Sequence, residues 1–320
     1  MKQLRAAVVG VGYLGRYHAE KYAVHPRVEL VAVADVDGAR AQAVAAEFGV
    51  AALTDHRVLP GRVDCASIAV PTNRHYEVAR DLLEAGVDVL VEKPVTSTVD
   101  EAKALVELAV RGGRVLQVGH LERFNPALLA LEGLLTQPRF IECHRLAPFT
   151  ERGTDVDVVL DLMIHDLDVI LSMVPSALRS VEAVGVPVLT PSVDIANARL
   201  RFANGCIANV TASRVSLKRE RKLRIFQADA YLAVDYGERR IRVCRREPDA
   251  DGQAGLVFEE RDVPEGDALE CEIDAFLRAV RDREPPAVSG WDGLRALEVA
   301  HVIRESLETE VRAAQAAGLA

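Results

Sequence analysis

Cysteine, lysine, positive charge and long apolar runs are all scarce in these 320 residues, and each shortage removes a class of protein. The five cysteines, Cys65, Cys143, Cys206, Cys244 and Cys271, lie far apart and form no Cys-x-x-Cys pair or His/Cys cluster. That excludes a zinc module and a disulfide framework, and leaves reduced packing residues of a reducing compartment. Acidic residues outnumber basic ones by 48 to 39, a net charge of −9 that argues against nucleic acid as partner. No apolar run reaches the ~18 residues that a membrane-crossing helix needs. The chain enters its first strand almost at once, without a signal-peptide layout, so a cytoplasmic protein is expected. Repeats, low-complexity tracts and long linkers are missing as well.

What is present starts at Ala6. An apolar run, Ala6-Ala7-Val8-Val9, ends in Gly10-Val11-Gly12-Tyr13-Leu14-Gly15 and continues into a helical segment. In such a G-x-G-x-x-G turn the first glycine makes the bend, the second admits a pyrophosphate, and the third lets helix pack on strand. The helix N-terminus offers N–H groups and partial positive charge to the phosphates. The next apolar run ends in Asp35, 20 positions past Gly15, close to the ~20 expected for an acid that binds the adenosine ribose. A carboxylate there accepts the ribose hydroxyls and repels a 2′-phosphate. This favours NAD over NADP, with Arg40 the neighbour that could accommodate the phosphate.

Apolar strand-like runs at 63–70, 87–91 and 115–120 then alternate with helical segments near 39–48, 75–85 and 99–111. Near-continuous apolar strands between helices predict an α/β unit, a doubly wound parallel Rossmann sheet whose ligands lie at the carboxyl ends of the strands. Beyond about residue 137 the texture changes. A strand at 139–147 and a helix at 156–174 precede strands at 178–186, 195–202, 207–213, 223–226, 231–236, 240–245 and 256–262, with turn signals at Asn204-Gly205, Tyr236-Gly237 and Asp251-Gly252. Helices follow at 267–282 and 291–314. The expected division is a dinucleotide domain at 1–122 and a substrate-binding and oligomerisation α+β domain at 123–320. The second carries a large, open, mostly antiparallel sheet, and the last helices either cover it or return to the first domain. Its uncovered face is expected to pair between subunits as a homodimer or homotetramer.

Three stretches carry candidate chemistry. Of only six lysines, Lys93 alone ends an apolar strand, and Pro94 biases it to an extended conformation. An ammonium held there can stabilise developing alkoxide charge, or it can simply pair with Glu92. On the apolar helix, Asp161, His165 and Asp168 share a face at spacings of four and three. They read as a general base with its orienting acid, as a metal pair for which no second matching pair exists, or as a polar seam against a neighbouring element. In Gly119-His120-Leu121-Glu122-Arg123-Phe124-Asn125-Pro126-Ala127, Arg123 suits a phosphate or carboxylate fork, or a structural salt bridge. The basic run Arg214, Lys218, Arg219, Arg221, Lys222 and Arg224 reads first as a solvated face and second as a contact for a substrate diphosphate.

Together, the glycine motif, Pro71-Thr72-Asn73-Arg74-His75, Glu92-Lys93-Pro94 and Asp161-x-x-x-His165 resemble the Gfo/Idh/MocA family of sugar and cyclitol oxidoreductases, in layout over essentially the whole chain. The resemblance implies a catalytic set of Lys93, Asp161 and His165, with His165 as base. It implies an NAD site lined by Gly10, Gly12, Tyr13, Leu14, Gly15, Asp35, Thr72, His75, Glu92 and Lys93, and no metal. The segment 119–127 resembles the branch that oxidises UDP-N-acetylglucosamine at C3 on the way to lipid A or surface polysaccharide, which would place substrate on Arg123, Asn125 and His165. A dehydrogenase of inositol or of a free sugar, and a redox-inactive NAD-binding regulator, are the alternatives. The regulator would need neither Lys93 nor His165.

Overall fold

The computed structural model describes residues 3–150, 157–248 and 254–316. Six short strands come first: β1 (Leu4–Val9), β2 (Val28–Ala34), β3 (Ala51–Leu53), β4 (Cys65–Ile68), β5 (Asp88–Glu92) and β6 (Leu116–Gly119). They pair in the order β3-β2-β1-β4-β5-β6, and every ladder is parallel. Helices α1 (Tyr13–Val24), α2 (Gly38–Phe48), α3 (His75–Glu84) and α4 (Val99–Gly112) make the crossovers. Strand order reverses between β1 and β4, and a doubly wound sheet opens a ligand crevice at such a reversal. The expected strands are all there; β3, too short to show in the apolar pattern, adds an edge.

The chain divides into two compact units, one of 3–124 with Asp267–Leu297 and one of the described residues of 125–266 with 298–316. Of the two courses the sequence left open for the last helices, Asp267–Leu297 takes the return and belongs with the first sheet. Helix α7 (Ala268–Asp282) explains why. Its Ile273, Phe276, Leu277 and Val280 recur at helical spacing and pack with Ala19 and Tyr22 of α1 and with Val8, Val33 and Leu90 of the sheet. Beyond its end, Arg283 reaches the buried Asp88 at 2.9 Å, and Val118 donates its N–H to the Val288 carbonyl.

The second unit is built on eight strands: β7 (Pro138–Leu146), β8 (Leu178–Val186), β9 (Ile195–Phe202), β10 (Ile207–Ser213), β11 (Glu220–Gln227), β12 (Ala230–Asp235), β13 (Arg240–Pro248) and β14 (Ala254–Asp262). Their order is β14-β13-β12-β11-β7-β10-β9-β8, antiparallel except for the β7–β10 pair. A short helix α5 (Pro126–Leu129) precedes β7, and α8 (Gly290–Ala316) closes the described chain. Helix α6 (Ile164–Met173) packs on β7 and β10 and covers one face, where Ile141, Cys143, Val210, Leu223 and Ile225 are buried. The uncovered face carries Phe140, Phe226 and Tyr231, ring against ring, and the 76 % exposed Phe258. The Asp251-Gly252 turn and Val156 at the expected helix start lie outside the described residues.

Two arginine–aspartate pairs are buried in this unit. Arg145 on β7 donates Nε and Nη2 to the two carboxyl oxygens of Asp166 on α6, both at 2.8 Å. Arg214 donates Nε to Asp194 at 2.8 Å, and Asp194 also accepts the N–H groups of Val188, Leu189 and Thr190. Burial opposes the Asp194 charge, but those backbone donors and Arg214 overcome it and hold its carboxyl well below the usual range. The Asp194 share of stability is thus present above the ordinary carboxylate pKa and is lost as pH falls below it. The Arg145–Asp166 pair makes the sharper test. Asp166→Leu strands a buried guanidinium and is expected to cost ~3–5 kcal/mol in urea unfolding, while Arg145→Met with Asp166→Leu recovers most of that loss.

Candidate active site

Each glycine of the first turn has a different local reason. Gly10 has φ +84°, and a Cβ there would fall 2.7 Å from the Ala69 backbone. At Gly15 it would fall 1.8 Å from the Gly10 carbonyl oxygen, so α1 can approach β1 only without a side chain. At Gly12 it would meet nothing within 4 Å. Since no protein atom demands glycine there, the open space in front of the α1 N-terminus suits a phosphate. A cavity of about 570 Å³ opens beside it, lined by Gly10, Gly12, Asp35, Arg40, Val70 and Arg74 among others. It sits at the carboxyl ends of β1, β2 and β4, where the strand reversal predicts it.

Asp35 ends β2 almost fully buried. One carboxyl oxygen accepts the Val11 N–H and the other the Asp37 N–H, each at 2.9 Å, and Arg40 lies 3.4 Å from both. The acid thus fastens the glycine turn to the second strand while facing the cavity. Tyr13 and Leu14 are exposed at the start of α1, and the Tyr13 ring meets Tyr17 edge-on. Thr72 opens a single 3₁₀ turn after β4. His75 follows, 1 % exposed, with its ring nitrogens 2.8 Å from the Val70 and Pro94 carbonyl oxygens. His75 braces the loop after β4 to the loop that carries Lys93.

Glu92 and the half-buried Lys93 end β5. Behind them runs a set of polar contacts that sequence reasoning missed. Tyr22 Oη lies 2.8 Å from Ser67 Oγ, Ser67 Oγ 3.1 Å from His18 Nδ1, and His18 Nε2 2.9 Å from Glu92 Oε1. A carboxylate only accepts, so His18 donates from Nε2 to Glu92. Burial alone would raise the Glu92 carboxyl, but the His18 hydrogen bond and the neighbouring Lys93 ammonium outweigh it and hold it below its usual range. One signal was readable: Gly15, His18, Ala19 and Tyr22 are the buried positions of α1, a core stripe that includes a histidine and a phenol.

The other candidate residues belong to the second unit. Val159–Met163 form a wide π turn, in which Ile164 donates its N–H to the Val159 carbonyl five residues back, before α6 continues as an ordinary helix. Asp161 is therefore in the π turn and not on the regular helix that its spacing to His165 suggests. Such turns often mark functional sites. Asp161 and His165 are half-buried, whereas Asp168 is buried. Asp166, which the sequence pattern did not single out, is the buried ion-pair partner on this helix. Asn125 caps α5 by accepting the Ala127 N–H, and Arg123, in the first unit, reaches the Ala287 carbonyl at 3.5 Å. Within the basic run, Arg214 is buried against Asp194, Lys222 pairs with Glu220 and Asp235, and Arg224 with Glu142. Lys218 and Arg219 are exposed. Lys93 thus comes from one unit, Asp161 and His165 from the other. The described residues include no helix long and apolar enough to cross a membrane.

Comparisons with known proteins agree with this architecture. Residues 4–120 match the oxidoreductase family with NAD-binding Rossmann fold, and residues 128–233 match the GFO/IDH/MocA C-terminal domain. The chain is 39 % identical to UDP-N-acetylglucosamine 3-dehydrogenase of Acidithiobacillus ferrooxidans, over 96 % of this chain and 98 % of that protein. A solved structure of that enzyme superposes with a TM-score of 0.91 over 97 % of this chain and 99 % of the other. The chain is also 31 % identical to scyllo-inositol 2-dehydrogenase (NAD(+)) of Bacillus subtilis, over 67 % of this chain and 68 % of that one.

The glycine turn supports a direct test. Gly12→Ala adds a methyl group only to open space at φ −67°, so its melting temperature is expected to match wild type. Its NAD affinity is expected to fall by about tenfold or more, equivalent to ~1.4 kcal/mol, in a titration calorimeter.

Proposed function

The chain belongs to the Gfo/Idh/MocA family of NAD-binding oxidoreductases, and we propose that it oxidises the C3 hydroxyl of UDP-N-acetylglucosamine to a ketone. The observation that carries this reading is the 39 % identity, spread over 96 % and 98 % of the two chains, to an enzyme named for that reaction. Residues 3–124 with Asp267–Leu297 form one compact unit, which carries the dinucleotide turn, Lys93 and Arg123, while Asn125, Asp161 and His165 belong to the other.

The residues present fit NAD: an open glycine turn before a helix N-terminus, and the backbone-anchored Asp35 beside a cavity. When bound, NAD supplies the hydride acceptor. The chain does the rest. Asp35 accepts the ribose hydroxyls, Tyr13, Leu14 and Thr72 line the cofactor, and His75 holds the loop on which Lys93 stands. His165 takes the hydroxyl proton as general base, and Asp161 orients it. Lys93 donates to the substrate oxygen as negative charge builds, an interaction stronger in the transition state than in the ground state. Arg123 and Asn125 hold substrate. The product ketone is the starting point for a 3-amino sugar of lipid A or surface polysaccharide, made in the cytoplasm. The uncovered sheet face, with Phe140, Phe226, Tyr231 and Phe258, joins copies of the chain as a dimer or tetramer. A monomer by light scattering would count against that.

A second reading, a dehydrogenase of inositol, is supported by the 31 % identity to the scyllo-inositol enzyme over a shorter span. Mixing enzyme and NAD with UDP-N-acetylglucosamine, UDP-glucose, glucose or myo-inositol, with a carbonyl trap, separates the two. Reduced-cofactor absorbance is expected only with UDP-N-acetylglucosamine, and signal only with the polyol would overturn the proposal. Lys93→Met and His165→Asn are expected to lower kcat by ~10²-fold or more with NAD binding retained, and wild-type turnover in both would remove the assigned roles.

A further inference from the structure

Glu272 is placed where a core residue should be. It lies on the apolar face of α7, next to Ile273 and one turn from Phe276, with no exposed surface. Neither of its carboxyl oxygens has a hydrogen-bond partner. The side chain is nonetheless directed at polar company: a Glu272 carboxyl oxygen, a Glu92 carboxyl oxygen and a ring nitrogen of His18 all lie within 4.8 Å of one another. We propose that Glu272 is kept as a neutral carboxylic acid beside the Glu92 carboxylate, and that through Glu92 it is a positioning residue for Lys93.

The charges around the cluster decide which acid keeps the proton. Two carboxylates this close in the protein interior repel strongly, and a proton on one of them removes the repulsion. The elements around Glu272 present Tyr22 and His18 from α1, Cys65 from β4, Glu92 and Lys93 from the end of β5, and Gln117 from β6. The 3₁₀ turn Leu121–Phe124, with Glu122 and Arg123, packs on the same helix. His18 already donates to Glu92, and Lys93 directly follows Glu92, so the negative charge is best held on Glu92. Gln117 donates to the Glu272 backbone carbonyl and leaves its carboxyl alone. Burial first, and the Glu92 charge second, push the Glu272 carboxyl well above the usual range. Gly119 also lies close against Glu92: a Cβ there would stand 3.1 Å from its Cα, Cδ and Oε2. Glu272 and Gly119 therefore set the position of the residue to which Lys93 is joined.

The positioning role rests on Lys93 acting on the substrate oxygen; the proton on Glu272 does not, and the two are tested apart. A carboxyl that is neutral when folded adds most stability below the ordinary carboxylate pKa and progressively less as pH rises. Glutamine has no such proton to lose. The melting temperature of Glu272→Gln, relative to wild type, is therefore expected to rise steadily from about pH 4 to about pH 8. Infrared spectra at neutral pH should show a protonated-carboxyl C=O stretch in wild type that Glu272→Gln lacks. A melting difference independent of pH, no such band in the wild type, or a stoichiometric metal ion bound by the three residues in elemental analysis overturns the proton. If an alcohol is turned over, the alkaline limb of the kcat–pH profile is expected to move upward in Glu272→Gln with NAD affinity unaltered; coincident profiles overturn the positioning role. Absence of turnover with every alcohol would count against the proposed reaction and leave the melting and infrared tests intact.

Discussion

The contact between Glu92 and His18, 2.9 Å long and out of water, ties together the parts of the first unit that have to cooperate. His18 rides on α1, the helix whose N-terminus faces the glycine turn. Ser67, its other partner, belongs to β4, the strand beyond the sheet reversal. Glu92 ends β5 and is joined to Lys93. One imidazole thus links α1, β4 and the end of β5. Because His18 is fully buried, the contact cannot be exchanged for water at low cost, which fixes the geometry in a way that a surface pair would not. Asp35 does the equivalent on the other side of the turn, where it links β2 to the backbone of Val11.

The second unit solves a different problem. Its sheet has one face covered by α6 and one uncovered, and the covered face contains charge. Arg145 and Arg214 point into the interior at positions where alternation would put an apolar side chain, and each is answered by a buried aspartate. Such pairs contribute little net stability but penalise any other register heavily, since a shift by one residue would strand a buried charge. Asp166 in this way fixes α6, which carries His165, on β7, and with it the turn that carries Asp161. The polar network of one unit and the ion pairs of the other each hold a candidate site residue on a rigid mount.

Much of this was legible from local pattern. Strands β8, β9 and β10 fall on the residues that alternation marks, and α2, α4 and α7 agree with their apolar periodicity to within a residue. The glycine turn and Asp35 were readable because their reasons are local: a bend, a close approach, a fixed offset to the acid. What escaped were residues whose partners are remote. His18 and Ser67 are 49 positions apart, Arg145 and Asp166 21, and Asp88 and Arg283 195. No periodicity reports such pairs. For the same reason Arg214 looked like a member of a basic surface run when it is the buried partner of Asp194.

By itself the sequence determined the dinucleotide turn, the parallel sheet, the antiparallel sheet that follows, and the strand-end and helix residues that resemble those of the family. These follow from backbone sterics and hydrophobic periodicity, which act over a few residues. Tertiary structure alone decided that 267–297 returns to the first sheet and that Asp161 stands in a π turn. It decided too that Gly12 is glycine for no reason inside the protein, and that two glutamates, 180 positions apart, meet in the core beside a histidine. The physical reason is that packing and charge pairing depend on distance in space, and only the folded chain defines that distance.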